Sequence, residues 1–432
     1  MILQIGLWML ALPFIFEQNV SAQSDPPELM SWLRNTNGKT GYNSLPADVQ
    51  TVRYTGTSVY VNSTGIPAYT IGPWPGNPNT PTNQGYVCRI PRQPAENTGA
   101  KTPAGLGAIG MWINGVPIYN ALDGMSHLNQ NIWHQNAAVV EAPSFDACKG
   151  HPAPGGRYHH HQNPVCLYTD DTTSHSPLLG FAFDGYPVYG PRGFQYTDGS
   201  GGISRMTTSY RLRNITQRHT LPDSTVLSPS QYGPDVSTTY PLGYYAEDFE
   251  YVQDLGVLDR YNGRSAVTPE YPSGTYAYWV TINQDGTSAY PYTIGPRYVG
   301  VVAADNIPSP HVTVPADAVE YDGATGVAEF PSLIPQDFKL SQNYPNPFSA
   351  TGGSASGGNP ATVIEFTLPA ASPVTIKVYN TLGQEVGNVL GEYLTLGNHR
   401  IGWNARSLAA GTYFYRLTAG KYTETKKLIL AK

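Results

Sequence analysis

The chain has 432 residues, a net charge of −6, and a charged fraction of only 13%, about half the usual share near 25%. No basic run is longer than Lys426-Lys427, which excludes the basic stripe that a nucleic-acid-binding surface needs. Gly (45), Pro (38) and Tyr (31) are abundant; Gly and Pro are the poorest helix residues and Tyr suits a half-buried pleat, so the composition excludes a helical bundle and predicts a mainly β chain of two or three domains.

Residues 1–22 read as a secretory signal peptide. Ile2 to Phe16 is apolar and uncharged, and Val20-Ser21-Ala22 forms a small-residue cleavage pattern before Gln23. The start of this segment lacks Lys and Arg, unlike most leaders. Its apolar run of about 15 residues is shorter than the ~20 that a membrane-spanning helix needs. No later segment is apolar enough to span, so the mature chain is expected to have no transmembrane segment and to work outside the cytoplasm.

A β-rich domain is expected over 24–302, where short apolar runs alternate with Gly/Pro/Asn/Asp turns. One weak helical piece, Pro26 to Arg34, opens it. The clearest strands are Ser58–Asn62, Ile109–Ile113, Gly180–Phe183 and Gly274–Ile282. Two hairpins look alike at an offset of 70 residues: Gly110-Met111-Trp112-Ile113-Asn114-Gly115-Val116-Pro117-Ile118-Tyr119 and Gly180-Phe181-Ala182-Phe183-Asp184-Gly185-Tyr186-Pro187-Val188-Tyr189. Asn-Gly and Asp-Gly are strong hairpin signals because both residues tolerate positive φ. The pattern suggests an internal duplication, although two hairpins converging on one turn chemistry would read the same.

Six of the ten histidines fall between 134 and 175. If Tyr158-His159-His160-His161 is extended, His159 and His161 share one face and Tyr158 and His160 the other. A His-x-His pair on a strand can grip one metal ion. Exported chains form disulfides, and Cys148 and Cys166 bracket the cluster at a separation of 18, so these two are the expected pair; three buried free thiols, Cys88 included, are the alternative. The disulfide would hold His151 near His159 and His161. Asp184, in its turn, is the acidic residue expected to join the site by orienting a ligand, with Asp248, Glu250 and Asp259 as weaker candidates. Imidazole donors without thiolate point to copper, zinc, iron or nickel rather than calcium. Exposed histidines, a buried polar network and general acid–base use without a metal are the competing readings. Ser174-His175-Ser176 has no base and acid partners for a serine triad.

Several of these stretches resemble the YHYH domain family. The carriers are Asp146-Ala147-Cys148-Lys149-Gly150-His151-Pro152, Gly156-Arg157-Tyr158-His159-His160-His161, the Gly180 to Gly190 hairpin, Leu258-Asp259-Arg260-Tyr261-Asn262-Gly263-Arg264 and Gly274-Thr275-Tyr276-Ala277-Tyr278-Trp279. The naming motif departs at one place, where His160 stands for the second tyrosine; His159 and His161 keep both histidines. The resemblance implies kinship over roughly 60–300 and brings no established activity with it.

Residues 303–337 are Pro-, Ala- and Asp-rich with little periodicity and read as a linker or a degenerate strand region. From 338 to 432 the runs Val363–Leu368, Val374–Tyr379, Gly397–Trp403, Gly411–Leu417 and Lys426–Lys432 alternate, which predicts a small antiparallel, immunoglobulin-like β-sandwich. Gln342-Asn343-Tyr344-Pro345-Asn346-Pro347-Phe348, Val378-Tyr379-Asn380-Thr381-Leu382-Gly383-Gln384-Glu385-Val386 and Ala409-Ala410-Gly411-Thr412-Tyr413-Phe414-Tyr415-Arg416-Leu417 resemble the type A C-terminal sorting domain of the type IX secretion system. That resemblance implies handling by the type IX machinery, passage through periplasm and outer membrane, and a secreted or surface-held product. A Gly/Ser-rich insert, Thr351 to Gly358, departs from the family and should only lengthen a loop. The expected whole is a secreted, mainly β protein whose first domain of paired hairpins binds a transition metal (copper, zinc or iron) through His151, His159 and His161. Metal or glycan capture without catalysis, and a structural or adhesive role, remain alternatives.

Overall fold

The computed structural model describes residues 25–323, 338–349, 361–369, 372–394, 397–405 and 408–431. The expected signal peptide, the Thr351–Gly358 insert and the linker half 324–337 lie outside them.

In the first unit, β1 (Val49–Tyr54), β2 (Ser58–Ser63) and β3 (Tyr86–Pro91) form an antiparallel meander. Behind it lies a larger sheet of β4 (Ala108–Trp112), β5 (Pro117–Tyr119), β6 (Gly150–Ala153), β7 (Arg157–His160), β8 (Leu178–Ala182), β9 (Pro187–Tyr189), β10 (Gly263–Ala266) and β11 (Thr275–Trp279). Its strand order is β10-β11-β9-β8-β4-β5-β7-β6. Every residue of β4, β8 and β9 is buried, which is why they read as continuous apolar runs: both faces of these central strands are covered. Val52, Val61, Ile90, Met111, Phe181 and Trp279 share one core.

The larger sheet is two four-stranded halves about a pseudo-twofold axis. β4 and β8 pair antiparallel with Met111 opposite Phe181, Gly110 opposite Ala182 and Trp112 opposite Gly180, so the axis passes through the Met111–Phe181 pair. Outward from it, β5 carries β7 and β9 carries β11 in parallel, and β6 and β10 close the edges antiparallel. Ile118 pairs with His160 and Val188 with Tyr278, which lays Tyr158-His159-His160-His161 over Tyr276-Ala277-Tyr278-Trp279. The turns into the edge strands match as well. Asp146 Oδ1 accepts the Gly150 N–H, and Asp259 Oδ1 the Gly263 N–H, at 3.1 Å in both halves. Tyr158 donates to Asp146 at 3.0 Å and Tyr276 to Asp259 at 3.1 Å. Lys149 and Asn262 take φ of 65° and 62° at the same step. The duplication therefore runs well past the two hairpins that first suggested it.

Some local expectations change. In both hairpins only the glycine, Gly115 or Gly185, takes positive φ (78° and 90°). Trp112 N–H donates to the Val116 carbonyl at 2.9 Å and Ala182 N–H to that of Tyr186 at 3.0 Å, so each connection has three residues with glycine in the left-handed place. A Cβ at Gly115 would stand 2.3 Å from Ser63 Cβ, so the turn needs glycine for space as well as for φ. The Pro26–Arg34 helix shrinks to Pro27–Met30, because Leu33 N–H donates to the Ile113 carbonyl at 2.8 Å and draws the chain into extended pairing. The run Gly274–Ile282 stays a strand only over β11, and Ile282 bridges Ser288 instead. Part of the expected 303–337 linker is built into the first unit: β12 (Val319–Glu320) pairs with β1, and His311 bridges Val87.

The C-terminal unit has two sheets. Lys339–Leu340, Ala361–Leu368 and Gly397–Asn404 form one; Phe348–Ser349, Tyr422–Ala431, Gly411–Ala419, Ser372–Tyr379 and Glu385–Leu394, in that order, form the other. Ile364 and Phe366 from the first and Val374, Ile376, Tyr415 and Leu417 from the second meet in one core. This is the antiparallel sandwich that the alternating runs predict.

Candidate metal centre

Strand β7 alternates: Tyr158 and His160 face one side, Arg157 and His159 the other, and His161 follows on the His159 side. In β6, His151 lies directly opposite His159, and directly opposed residues project to the same face of a sheet. The hairpin that joins the strands turns on Gly155 and Gly156, with φ of 83° and 77°. The disulfide Cys148–Cys166 closes at a separation of 18 residues, and Cys88 is a buried free thiol.

The three imidazoles converge through Nε2. His151 Nε2 and His159 Nε2 are 3.2 Å apart, and His159 Nε2 and His161 Nε2 2.9 Å. All three rings are buried, with 2–4% of each residue exposed. The other ring nitrogens fix the tautomers. His159 Nδ1 lies 2.9 Å from the Arg157 carbonyl and His161 Nδ1 2.6 Å from the Asn120 carbonyl; a carbonyl only accepts, so both Nδ1 atoms carry the proton. His151 Nδ1 lies 2.8 Å from Ser144 Oγ, whose single hydrogen goes to the Glu141 carbonyl at 2.9 Å, so here too Nδ1 donates. In the neutral rings, three Nε2 lone pairs then face one another. Without a cation between them, that is electrostatic repulsion. An Nδ1–H held by an oxygen acceptor, with Nε2 free, is the arrangement of metal-ligating histidine.

A carboxylate completes the group. Glu141, which ends the short helix Ala137–Val140, brings Oε2 to 3.0 Å from His161 Nε2 and 3.5 Å from His151 Nε2. Burial acts to raise its pKa; positive charge at His151 and His161, which neutral rings lack, would outweigh that and hold the carboxyl well below its usual range. His159 is pushed well below the usual imidazole value, by burial first and then by His161 and His151, which disfavours a proton as the shared cation at that ring. Tyr119 stacks on His159 at 3.9 Å, and Phe145 meets His151 edge-on at 4.8 Å. The histidines, Glu141, Tyr119 and Arg157 line a cleft of about 850 Å³.

His151, His159 and His161 are thus brought together as the sequence predicts, while Asp184 is not. Asp184 Oδ2 accepts from Tyr278 Oη at 2.6 Å and Gly300 N at 2.9 Å, and Oδ1 from Tyr186 N at 3.3 Å; its turn lies in the other half of the sheet. The weaker acidic candidates are likewise engaged: Asp248 with Arg218 at 2.7 Å, Glu250 with Arg211 at 2.9 Å, Asp259 with Tyr276. Three of the clustered histidines stay apart from the centre: His134 against Glu247 at 2.6 Å, His160 on the opposite face of its strand, and His175 among Tyr189, Phe194 and Trp279. Sequence reasoning missed Glu141, Ser144 and Tyr119, which no motif marks. Arg157 was within reach of the alternation that selected His159 and His161.

Two family models match the chain: YHYH protein over residues 87–290, and Secretion system C-terminal sorting domain over 358–431. The chain is a YHYH domain fused to a secretion-system sorting domain. The YHYH match brackets the whole metal centre and both halves of the larger sheet as far as β11. The sorting domain marks the chain for type IX secretion, across the outer membrane to the cell surface or the extracellular space. Among the described residues no helix is long and apolar enough to cross a membrane. No curated protein matches the chain. One solved structure, that of PorZ, an essential bacterial surface component of the type-IX secretion system of Porphyromonas gingivalis, aligns with 89% of this chain and 51% of that one, at 11% identity and a TM-score of 0.17. This chain spans about half the length of that protein, and so distant a likeness carries no argument here.

Proposed function

We propose that this exported YHYH domain holds one divalent transition-metal ion among His151, His159, His161 and Glu141, at a cleft from which an outside ligand reaches it. The observation that supports this reading is the convergence of three Nε2 lone pairs whose Nδ1 protons are all committed to oxygen acceptors. Asn120 and Arg157 supply those acceptors from the backbone, and Ser144 from a side chain that Glu141 in turn orients. Three imidazoles with one carboxylate suit zinc, copper or iron and are a poor shell for calcium. A metal bound there would act as a Lewis acid or as a redox centre, and the cleft makes an enzyme the favoured class. Capture of the ion without turnover is the second reading; it is favoured by Glu141, because a fourth protein ligand would leave fewer positions open.

Elemental analysis of protein purified without a histidine tag tests the proposal, with wild type beside His159→Ala/His161→Ala. The expected result is about one transition-metal ion per wild-type chain and almost none in the double variant, with the disulfide and near-ultraviolet spectrum kept. Equal, near-zero metal in both, after exposure to zinc, copper and iron salts, removes it.

A further inference from the structure

We infer that the ion in this cleft takes an anionic ligand, and that Arg157 grips that ligand by a carboxylate. The inference rests on the metal reading and adds the class of molecule that the site accepts. Arg157 stands two residues before His159 on β7, so its side chain leaves the same face of the strand. Two residues of strand span about 7 Å, a distance that one small ligand bridges. Arg157 lines the same cleft as His151, His159, His161 and Glu141.

The guanidinium is free to take a ligand. Among the described residues nothing accepts a hydrogen bond from it, and its Nε is buried without a partner. Every other arginine between 25 and 323 has an acceptor or a ring: for example Arg192 meets Asp170 at 2.6 Å, Arg218 meets Asp248 at 2.7 Å, and Arg260 lies over Tyr251 at 5.1 Å. A guanidinium whose Nε is buried without an acceptor, in a unit that gives every other arginine an acceptor or a ring, is poised to take an anion from outside. A guanidinium fork matches a planar carboxylate with two parallel hydrogen bonds. The charges agree: a dication, three neutral imidazoles and ionised Glu141 leave one positive charge, to which Arg157 adds another. Tyr119, stacked on His159, lines the same wall. In the other half of the sheet Thr275 stands where Arg157 stands here, and the three imidazoles are absent as well, so arginine and metal ligands occur together.

The test uses the full exported chain loaded with cobalt(II), whose visible spectrum reports ligands at the metal. Wild type, Arg157→Gln and Arg157→Lys are titrated with malonate and with neutral malonamide, and cobalt per chain is measured in each. Equal cobalt content is expected in all three, with malonate binding weakened about tenfold or more in Arg157→Gln, less in Arg157→Lys, and malonamide not binding. Equal malonate affinity in wild type and Arg157→Gln, or malonamide binding as tightly as malonate, overturns the inference and leaves the metal reading standing. A wild-type chain that takes up neither cobalt nor zinc, copper or iron removes both, and the metal measurement tells that case apart.

Discussion

The two halves of the larger sheet share one frame and differ in what stands on it. Each has an Asp-anchored turn, a tyrosine donating to that Asp (buried Tyr158, half-buried Tyr276), and a glycine at the start of the edge strand. On the face where the first half carries His151, His159 and His161, the second carries Arg264, Ala277 and Trp279. Arg264 lies over the Trp279 ring at 5.8 Å, so the second half holds its cation by a covalent tether, on an aromatic surface. The first half gathers three imidazoles whose Nε2 atoms could hold an added cation. One backbone thus serves either purpose, and three strand positions decide which.

The largest difference that can be broken by mutation is the staple. Cys148 is bonded to Cys166, while Tyr261 occupies the matching place in the second half. Closing 18 residues corresponds to about 3 kcal/mol in the chain-entropy account. Cys148→Ser/Cys166→Ser is expected to lower stability by about that amount in denaturant titration. A loss below about 1 kcal/mol would mean that the histidine half holds its turn as well without a cross-link as the other half does.

Next comes pH. The hairpin turn carries Asn114 in one half and Asp184 in the other. Burial raises Asp184 to about 6 against the hydrogen bonds from Tyr278, Gly300 and Tyr186, where an unfolded chain has about 3.9. The proton is therefore held more tightly in the folded state. The stabilisation from protonated Asp184 is complete below about pH 4 and is lost as pH rises through about 6, some 2–3 kcal/mol in all. Asn114 contributes no such slope. Asp184→Asn is expected to reduce the change in unfolding free energy between pH 4.5 and 7.5 by about 2 kcal/mol; an unchanged slope assigns the titration to other groups.

The frame itself gives a smaller effect. Asp146 Oδ2 accepts from Gly72 N at 2.8 Å and Trp74 Nε1 at 3.1 Å besides Tyr158, whereas the tyrosine is the side-chain donor to Asp259. Tyr276→Phe is therefore expected to cost about 1–2 kcal/mol and Tyr158→Phe less, by thermal or urea unfolding. The reverse order would mean that the two turns are supported differently.

Much of this was legible in the sequence for physical reasons. Period-two alternation placed His159 and His161 on one face, and the alternating runs after 361 gave the sandwich. Gly115 and Gly185 marked both hairpins, because no other residue fits those turns. Glu141 was not legible: it ends a one-turn helix that packs on the strands Leu122–Ser126 and His134–Asn136, and only the tertiary fold brings its carboxylate to the histidines. Asp184 misled because an Asp before Gly reads the same whether it faces a metal or, as here, Tyr278. The twofold repeat of four strands was half visible. Its hairpins keep their residues, but the edge strands keep mainly Asp, Gly and Tyr, too few to stand out without the register.

The smallest expected effect lies at His160, where the chain departs from the YHYH motif and the second half has Tyr278. The Tyr278 hydroxyl donates to Asp184 at 2.6 Å and accepts the Val299 N–H at 2.8 Å. His160 is wholly buried and neither of its ring nitrogens makes a hydrogen bond of good geometry; the amide nitrogen of Asn114, the counterpart of Asp184, is also unpartnered. Burial holds His160 down to about 3, so it stays neutral across the physiological range. His160→Tyr would set a hydroxyl where Asn114 can donate to it, and is expected to raise stability by up to about 1 kcal/mol. Metal content should not change, because position 160 faces away from His159 and His161. A loss of stability instead would mean that the space the Tyr278 hydroxyl uses is already filled in the first half, as overpacking costs about 1–3 kcal/mol. The halves would then differ on their inner face as well as on the face that gathers the imidazoles.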